Sequence, residues 1–413
     1  MKALISFLGT GPFEEKGSKR KYRTARYKFN NVENENSFVS LFLAEQLKID
    51  KLYVIGTHKS MWEELYNSIV PVSKQNNEFL LNQLIPEIDK LYDGTWNEEI
   101  FDKLEQEINI YSPYPIKILI LKYGMDEDEI KYNIEKTIET LKTEFFSPGK
   151  NESISLHMDI THSFRSLPIL IQQVIQFFIQ LHEKKIHFDG IYYGMLEVIK
   201  ETGFAPVINL SKIAEIGKWA NAAYAFENFG NGYLLSDLIQ QTNPSESILI
   251  KDFSNTLNLN LIFHVKGKIQ QLNGILKKEY PFLGQLFISN VLEEFIRQFK
   301  NINKDSEFQL QLAKWQYQKK RYGIAVLILY EAMITWICEQ ESLMPNRKDN
   351  RDNAKNLLST KYINIRNIIR NYKIDDIRNS VAHQLYRQIK VETAIQNIHK
   401  AIEKFSDLAK NKN

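Results

Sequence analysis

The 413-residue sequence has a single cysteine, Cys338. That excludes a disulfide framework and any cysteine-rich zinc site, and it fits a reducing, cytoplasmic setting. Net charge is also low: 53 Lys and Arg against 50 Asp and Glu leave +3. This is too little to hold nucleic acid by bulk charge, so a nucleic-acid surface has to be local. No apolar run is long enough to cross a bilayer. The most apolar stretch, residues 324–338, contains Glu331 and falls short of a span, so no membrane segment is expected. The opening apolar run leads into Gly9-Thr10-Gly11 and then a basic segment, which suits a first strand better than a signal peptide. A dinucleotide fingerprint is missing too, because its third glycine position holds Glu14. A nicotinamide enzyme is excluded on that ground.

What is present is a full core, with 43% hydrophobic and 25% charged residues, and length for two or three domains. In the first half, short apolar runs at residues 4–8, 52–55, 116–121, 154–158 and 190–193, with a final one at 206–210, predict strands. Helix-periodic segments at 38–47, 127–141 and 168–181 lie between them. The alternation predicts an α/β, Rossmann-like domain with a mostly parallel sheet. From Ser211 onward the pattern is helical: 213–229, 257–278, 282–299, 307–318, 322–339, 362–372, 377–389 and 392–408. The polar stretch 345–356 is read as a break, and the Lys/Arg-rich segment 14–28 as a loop, mobile or ordered by an anion. The expected organisation is an α/β domain over 1–212, a helical connector over 213–280 and an all-α domain over 281–413.

Three segments in the first half carry groups suited to a ligand. Gly9, Thr10 and Gly11 end the first strand, where parallel sheets bind ligands and glycines admit an anion to backbone N–H groups; a plain strand-ending turn fits equally. Gly56, Thr57 and Ser60 follow the second parallel strand and suit either a phosphate at a helix N-terminus or a simple N-cap. Asp159-Ile160-Thr161-His162-Ser163-Phe164-Arg165 joins a strand to a helix. Thr161, His162, Ser163 and Arg165 there offer hydroxyls, an imidazole and a cation suited to phosphates and nucleobases. Asp159 either holds the turn or pairs with Arg165. A metal site on His157 and His162 lacks further ligands at metal-site spacing, so none is assigned. Tyr192 and Tyr193 are either base-stacking or buried strand residues.

Near the C-terminus, Arg378, Asn379 and His383 place a permanent cation, a carboxamide and an imidazole within two helical turns. Arginine holds phosphate by paired hydrogen bonds, and histidine, with an ordinary pKa of roughly 6.5, moves protons near neutrality. Together they suit metal-free RNA cleavage by 2′-hydroxyl attack; taken alone, an exposed arginine and a helix-surface histidine with no shared role fit them as well. Asn379 and His383 share a helix face, but Arg378 lies about 140° around the axis from His383. One copy therefore splays the pair, and a two-fold dimer that apposes two such helices makes a composite site. Glu331, in the most apolar helix, either orients Arg378 or forms an ordinary buried ion pair. The runs 319–321 and 347–351 either steer RNA or are solvated loops.

These motifs, with Phe7-Leu8, Trp62, Tyr193-Gly194 and the Trp219-Ala220-Asn221-Ala222 segment, resemble the CARF–HEPN ancillary ribonucleases of type III CRISPR systems over nearly the whole chain. The resemblance implies a dimerising CARF sensor that binds a cyclic oligoadenylate and a HEPN ribonuclease whose active site forms between two copies. It implies messenger contacts at Gly9, Thr10, Gly11, Thr161, His162, Ser163 and Arg165, with Gly56, Thr57 and Ser60 as secondary contacts, and catalytic roles for Arg378, Asn379 and His383, Asn379 either orienting His383 or contacting phosphate. No metal or other cofactor is expected. Ring size is left open, with cyclic tetra-adenylate favoured, and so is slow cleavage of the activator by the sensor. The expected partners are a second copy, single-stranded RNA and the cyclic activator. The alternative is a non-catalytic regulator whose helical domain binds a protein or DNA; Arg378 with His383 favours the nuclease.

Overall fold

The apolar runs of the first half build one eight-stranded sheet in the order β3-β2-β8-β7-β6-β1-β4-β5. Its strands are β1 (Lys2–Leu8), β2 (Ala25–Phe29), β3 (Val32–Asn36), β4 (Lys51–Thr57), β5 (Ile116–Leu121), β6 (Ile154–Asp159), β7 (Ile186–Gly194) and β8 (Ala205–Asn209). The computed structural model describes residues 1–10, 24–146, 153–162, 166–182, 185–280, 282–383 and 390–410. It divides into two units, Met1–Ala214 and Glu215–Asn413.

In the first unit β1 pairs in parallel with both β4 and β6, β5 extends the sheet beyond β4, and β7 pairs with β6. The chain therefore leaves β1 in one direction and later returns to its other side, which is a topological switch point. Alternate residues of β1 feed two cores. Leu4 and Leu8 pack with helices α1 (Val39–Leu47), α2 (Trp62–Ile69) and α3 (Glu98–Tyr111). Ala3, Ile5 and Phe7 pack with α4 (Glu127–Phe146) and α5 (Ser166–Leu181). Because both faces are covered, the central strands read as continuous apolar runs. The antiparallel pairs β2–β3 and β7–β8 form the far edge.

The segment 14–28 is not wholly a loop. Its last residues belong to β2, where Ala25, Tyr27 and Phe29 are buried and Arg26 and Lys28 point outward. The basic residues are anchored at the surface: Arg26 donates to the Gly203 carbonyl at 3.0 Å and Lys28 pairs with Glu33 at 3.2 Å. Charge on one face hid a period-two pattern on the other. Residues 11–23 lie outside the described residues.

The second unit is helical throughout its described residues. Its axis is α10 (Tyr322–Gln340), with Ala325, Val326, Ile328, Leu329, Met333 and Trp336 buried, and Leu327 only half-buried. By length and composition this helix could cross a membrane, but most of it is buried inside the unit. Around it lie α6 (Lys212–Phe229), α7 (Pro244–Asn258), α8 (Ile262–Leu272), α9 (Asp305–Gln318), α11 (Lys348–Leu357), α12 (Ile363–Asn371), α13 (Ile374–His383) and α14 (Val391–Lys410). Residues 215–280 share one continuous core with the helices that follow: Phe226 meets Phe295 at 5.4 Å between ring centres, and Phe295 meets Trp315 at 5.2 Å.

Two helix boundaries differ from expectation. The run 257–278 is split, α7 ending at Asn258 and α8 starting at Ile262. Asn260 takes a left-handed φ of 54° at the break, a conformation asparagine tolerates better than most residues. The polar stretch 345–356 contains α11. Only Ala354 of that helix is buried, so there was little periodicity to read, and Arg351 anchors it by pairing with Glu331 and donating to Thr335 Oγ1 at 3.0 Å.

Gly230 ends α6 at a φ of 64°, and a Cβ there would lie 2.3 Å from Leu257 Cδ2. Left-handed strain and overpacking act together at this position. Gly230→Ala should destabilise the helical unit by about 2–4 kcal/mol. Chemical denaturation combined with hydrogen exchange in α6 and α7 checks this.

Candidate functional site

The carboxyl ends of β1, β4 and β6 lie side by side. Ser6 is in register with Asp159, and Leu8 with Gly56. The three sequence segments singled out as ligand loops therefore leave the same edge of the sheet at its switch point.

A buried carboxylate organises this edge. Asp159 Oδ2 accepts from Ser6 Oγ at 3.0 Å and from Ser40 Oγ of α1 at 2.6 Å. Asp159 Oδ1 accepts from the Thr161 N–H at 3.0 Å and from the Thr161 hydroxyl at 2.6 Å. Thr161 Oγ1 in turn accepts from the Gly194 N–H at 2.8 Å, which ties the β6 turn to the end of β7. Four donors on one carboxylate offset the cost of burying its charge. Of the two roles open to Asp159, the turn-holding one is present.

His162, next along, is buried. Its Nε2 lies 3.3 Å from the Tyr27 hydroxyl of β2, and its ring faces Phe38. Burial holds the imidazole below its ordinary pKa despite the Asp159 charge. The same burial, helped by Asp159, raises the Tyr27 phenol well above its usual range. Thr161 and His162 thus sit at the sheet edge with their polar atoms already engaged. Ser163, Arg165 and Gly11 lie outside the described residues.

Gly9 and Thr10 are half-buried at the end of β1. The Gly9 carbonyl accepts from the Met61 N–H at 2.9 Å, which joins the first loop to the β4 loop. Within the β4 loop, Thr57 and Ser60 are fully buried. Ser60 Oγ donates to the Leu8 carbonyl at 2.6 Å and accepts from the Thr57 N–H at 2.9 Å. Its hydroxyl shapes the loop, and the Thr57 and Ser60 side chains both point into the fold. Gly56 is required by the same packing: a Cβ would lie 2.7 Å from Ser60 Oγ and 2.8 Å from Trp62. Sequence reasoning missed Ser6, Ser40 and Tyr27. A serine inside the apolar run of β1 was the one available signal.

In the helical unit, α13 carries Arg378, Asn379 and His383. The Arg378 guanidinium stacks over the Tyr330 ring of α10 at 4.6 Å and lies 3.9 Å from Glu331 Oε1. Glu331 lies between two arginines, since its other oxygen pairs with Arg351, and it is half-buried, so the Arg351 pair is not a buried one. Arg378 Nη1 donates to Asn379 Oδ1 at 3.0 Å, so the carboxamide is turned to the arginine and not to His383. His383 is exposed at the end of the helix with no hydrogen bond to another described residue. The chain thus fixes Arg378 tightly and leaves the imidazole open. Val381 packs on Gly323 at the start of α10, where a Cβ would lie 3.4 Å away, and this seats the end of the helix.

The family model for the CARF domain of the CRISPR system endoribonuclease Csx1 matches residues 3–197, and the model for the second domain of CRISPR-associated protein MJ1674 matches residues 215–306. Both matched stretches point to the CARF-domain ancillary proteins of CRISPR systems. This agrees with the CARF–HEPN resemblance in fold, an α/β domain followed by a helical unit. CRISPR-associated protein MJ1674 of Methanocaldococcus jannaschii is 32% identical over 412 residues, covering 93% of this chain and 62% of that protein. The chain therefore spans about three fifths of that relative's length. Enterococcus italicus Csm6, solved with cyclic hexa-2′-fluoro-hexa-dAMP, is a remote likeness at 13% identity and a TM-score of 0.40, covering 99% of this chain and 93% of that one.

Two outcomes follow for the CARF sheet edge. Asp159→Ala leaves the Ser6 and Ser40 hydroxyls and the Thr161 N–H without their acceptor and should cost about 3 kcal/mol or more; hydrogen exchange in β1 and β6 reads the loss. His58, His157 and His162 are all buried and held below the ordinary imidazole range, chiefly by burial. The unfolded chain takes up protons near pH 6.5 that the folded unit resists. Their effect is absent above about pH 7, and stability of this unit falls as pH drops below about 6.5. Denaturation midpoints between pH 7.5 and 5.5 should show this fall, with a shallower slope in His162→Gln.

Proposed function

We propose that this protein is an endoribonuclease switched on by a cyclic oligoadenylate, cleaving single-stranded RNA in the cytoplasm without a metal ion. The observation that carries the reading is the state of α13: Arg378 is held on Tyr330 and beside Glu331, while His383 stands exposed on the same helix. A fixed cation and an accessible imidazole are the two groups that a 2′-hydroxyl displacement needs. The match to the CARF domain of a family named as an endoribonuclease supports the same reading.

In the reaction, the 2′-oxygen attacks the adjacent phosphorus and the P–O5′ bond breaks. His383 takes the 2′-hydroxyl proton or supplies one to the leaving 5′-oxygen. Arg378 neutralises the charge that builds on the equatorial phosphoryl oxygens. Asn379, bonded to Arg378, sets the guanidinium plane. The products are a 2′,3′-cyclic phosphate and a 5′-hydroxyl. Since α13 splays Arg378 from His383, the working site takes its groups from two copies of the chain in a homodimer, with the nuclease centred on residues 281–413.

The activator, for which cyclic tetra-adenylate is the favoured ring, sits at the carboxyl edge of the CARF sheet. Gly9 and Thr10 supply the first loop; Thr161 and His162 supply the β6 turn, and the neighbouring Gly11, Ser163 and Arg165 complete it. The ring lies across the two-fold axis and favours the dimer geometry in which the helical units cleave. Such activation requires different ligand affinities in the two states.

His383→Ala should lower activator-stimulated RNA cleavage about 100-fold or more and leave activator binding unchanged. Cleavage should persist in EDTA, and the all-DNA version of the substrate should survive. Robust cleavage by His383→Ala, or strict dependence on a divalent metal, contradicts the assignment.

A further inference from the structure

A second cationic feature lies next to Arg378, and the cleavage chemistry does not use it. The Tyr330 ring on which Arg378 stacks also lines a cavity of about 380 Å³. Lys355, Arg366, Arg370 and Lys373 line it, against the carboxylates Asp375 and Asp376 at the start of α13. Lys355 is paired, with Asp352 at 3.2 Å. Among the described residues, Arg366, Arg370 and Lys373 form no ion pair.

That arrangement is unfavourable for an empty surface. Arg366 and Arg370 are four apart on α12 and share its face, where like charges repel. Lys373 follows three residues later and takes a left-handed φ of 49° at the turn between α12 and α13, a conformation disfavoured for a residue with a Cβ. The turn brings a third cation to the same cavity. Asp375 and Asp376 are accounted for otherwise: both lie in the first turn of α13, where carboxylates oppose the helix dipole. The surplus positive charge is left facing the cavity.

We propose that this cavity is a second phosphate subsite of the nuclease, holding a backbone phosphate of the substrate RNA next to the one bound by Arg378. This rests on the nuclease reading for its substrate and adds to it a second anchoring point for the strand. Tyr330 is the wall between the two subsites, so the strand passes from the Arg366–Arg370–Lys373 cluster to Arg378 along one continuous surface of the helical unit. Phosphate contacts fix register without reading sequence. Here they would hold the strand while Arg378 and His383 act on the adjoining linkage. Guanidinium pairs suit this because each can grip two phosphate oxygens.

The test uses the full chain carrying His383→Ala, with and without Arg366→Gln and Arg370→Gln, and a fluorescent single-stranded RNA read by anisotropy over a salt series with cyclic tetra-adenylate present. The double substitution should weaken binding about tenfold or more, and the slope of log affinity on log salt should become shallower by about 0.7 for each phosphate no longer neutralised. Unchanged affinity and slope overturn the subsite. Arg370→Gln alone, at an exposed position, should show a smaller shift in the same direction, which separates charge removal from misfolding.

Failure of this subsite and failure of the nuclease reading look different. If the chain with His383 intact cleaves RNA, and adding Arg366→Gln and Arg370→Gln leaves its KM and kcat alone, the subsite is wrong and the nuclease stands. If no RNA is cleaved but the double substitution still weakens RNA binding and flattens the salt slope, the subsite stands and the nuclease reading fails.

Discussion

The Asp159 carboxylate is the constraint on which the CARF sheet edge depends. It is fully buried, at the end of β6, and it gathers donors from β1, from α1 and from its own turn. Burying a charge this deeply is unfavourable without such partners. With them, one group fixes the spacing of β1 and β6, seats α1 and sets the path of the chain into Thr161 and His162. Thr161 passes the constraint on to Gly194 of β7. The described parts of the loops at the switch point are therefore mounted on a polar joint; for the activator proposed above, such preorganisation limits the conformational entropy lost on binding.

The helical unit solves a comparable problem with apolar means. Helix α10 is buried along most of its length and presents two polar groups toward α13, the Tyr330 ring and the Glu331 carboxylate. Stacking and charge hold Arg378 without a direct, fully desolvated ion pair, since Glu331 is engaged more closely by Arg351. A guanidinium held in this way keeps its donors available for phosphate. Asn379 leans on the same arginine, and His383 is exposed at the far end of the helix.

Much of this was legible in the sequence. The central strands were clear because burial on both faces makes an uninterrupted apolar run, and the Asp159–Arg165 run stood out at a strand-to-helix turn. The change to helical periodicity near Ser211 falls close to the division at Ala214. The rest was hidden for definite reasons. Strand β2 was masked by Arg26 and Lys28 on its outer face. Helix α11 has a single buried residue and is held by Arg351, which reaches across 20 positions to Glu331. The Ser6 and Ser40 partners of Asp159 come from 153 and 119 residues away, a distance over which no local pattern speaks. The inward use of Thr57 and Ser60 was equally invisible, because a hydroxyl in a turn looks the same whether it faces a ligand or the neighbouring strand.

In the proposed reading, a ligand at the switch point of the first unit controls the Arg–His helix of the second. The most direct test measures RNA cleavage by the intact chain against cyclic tri-, tetra-, penta- and hexa-adenylate, each titrated from zero. The account predicts negligible cleavage without a ring and a saturable rise with one ring size, cyclic tetra-adenylate foremost. Cleavage that is equally fast with no cyclic adenylate present, or absent with every ring, would contradict it.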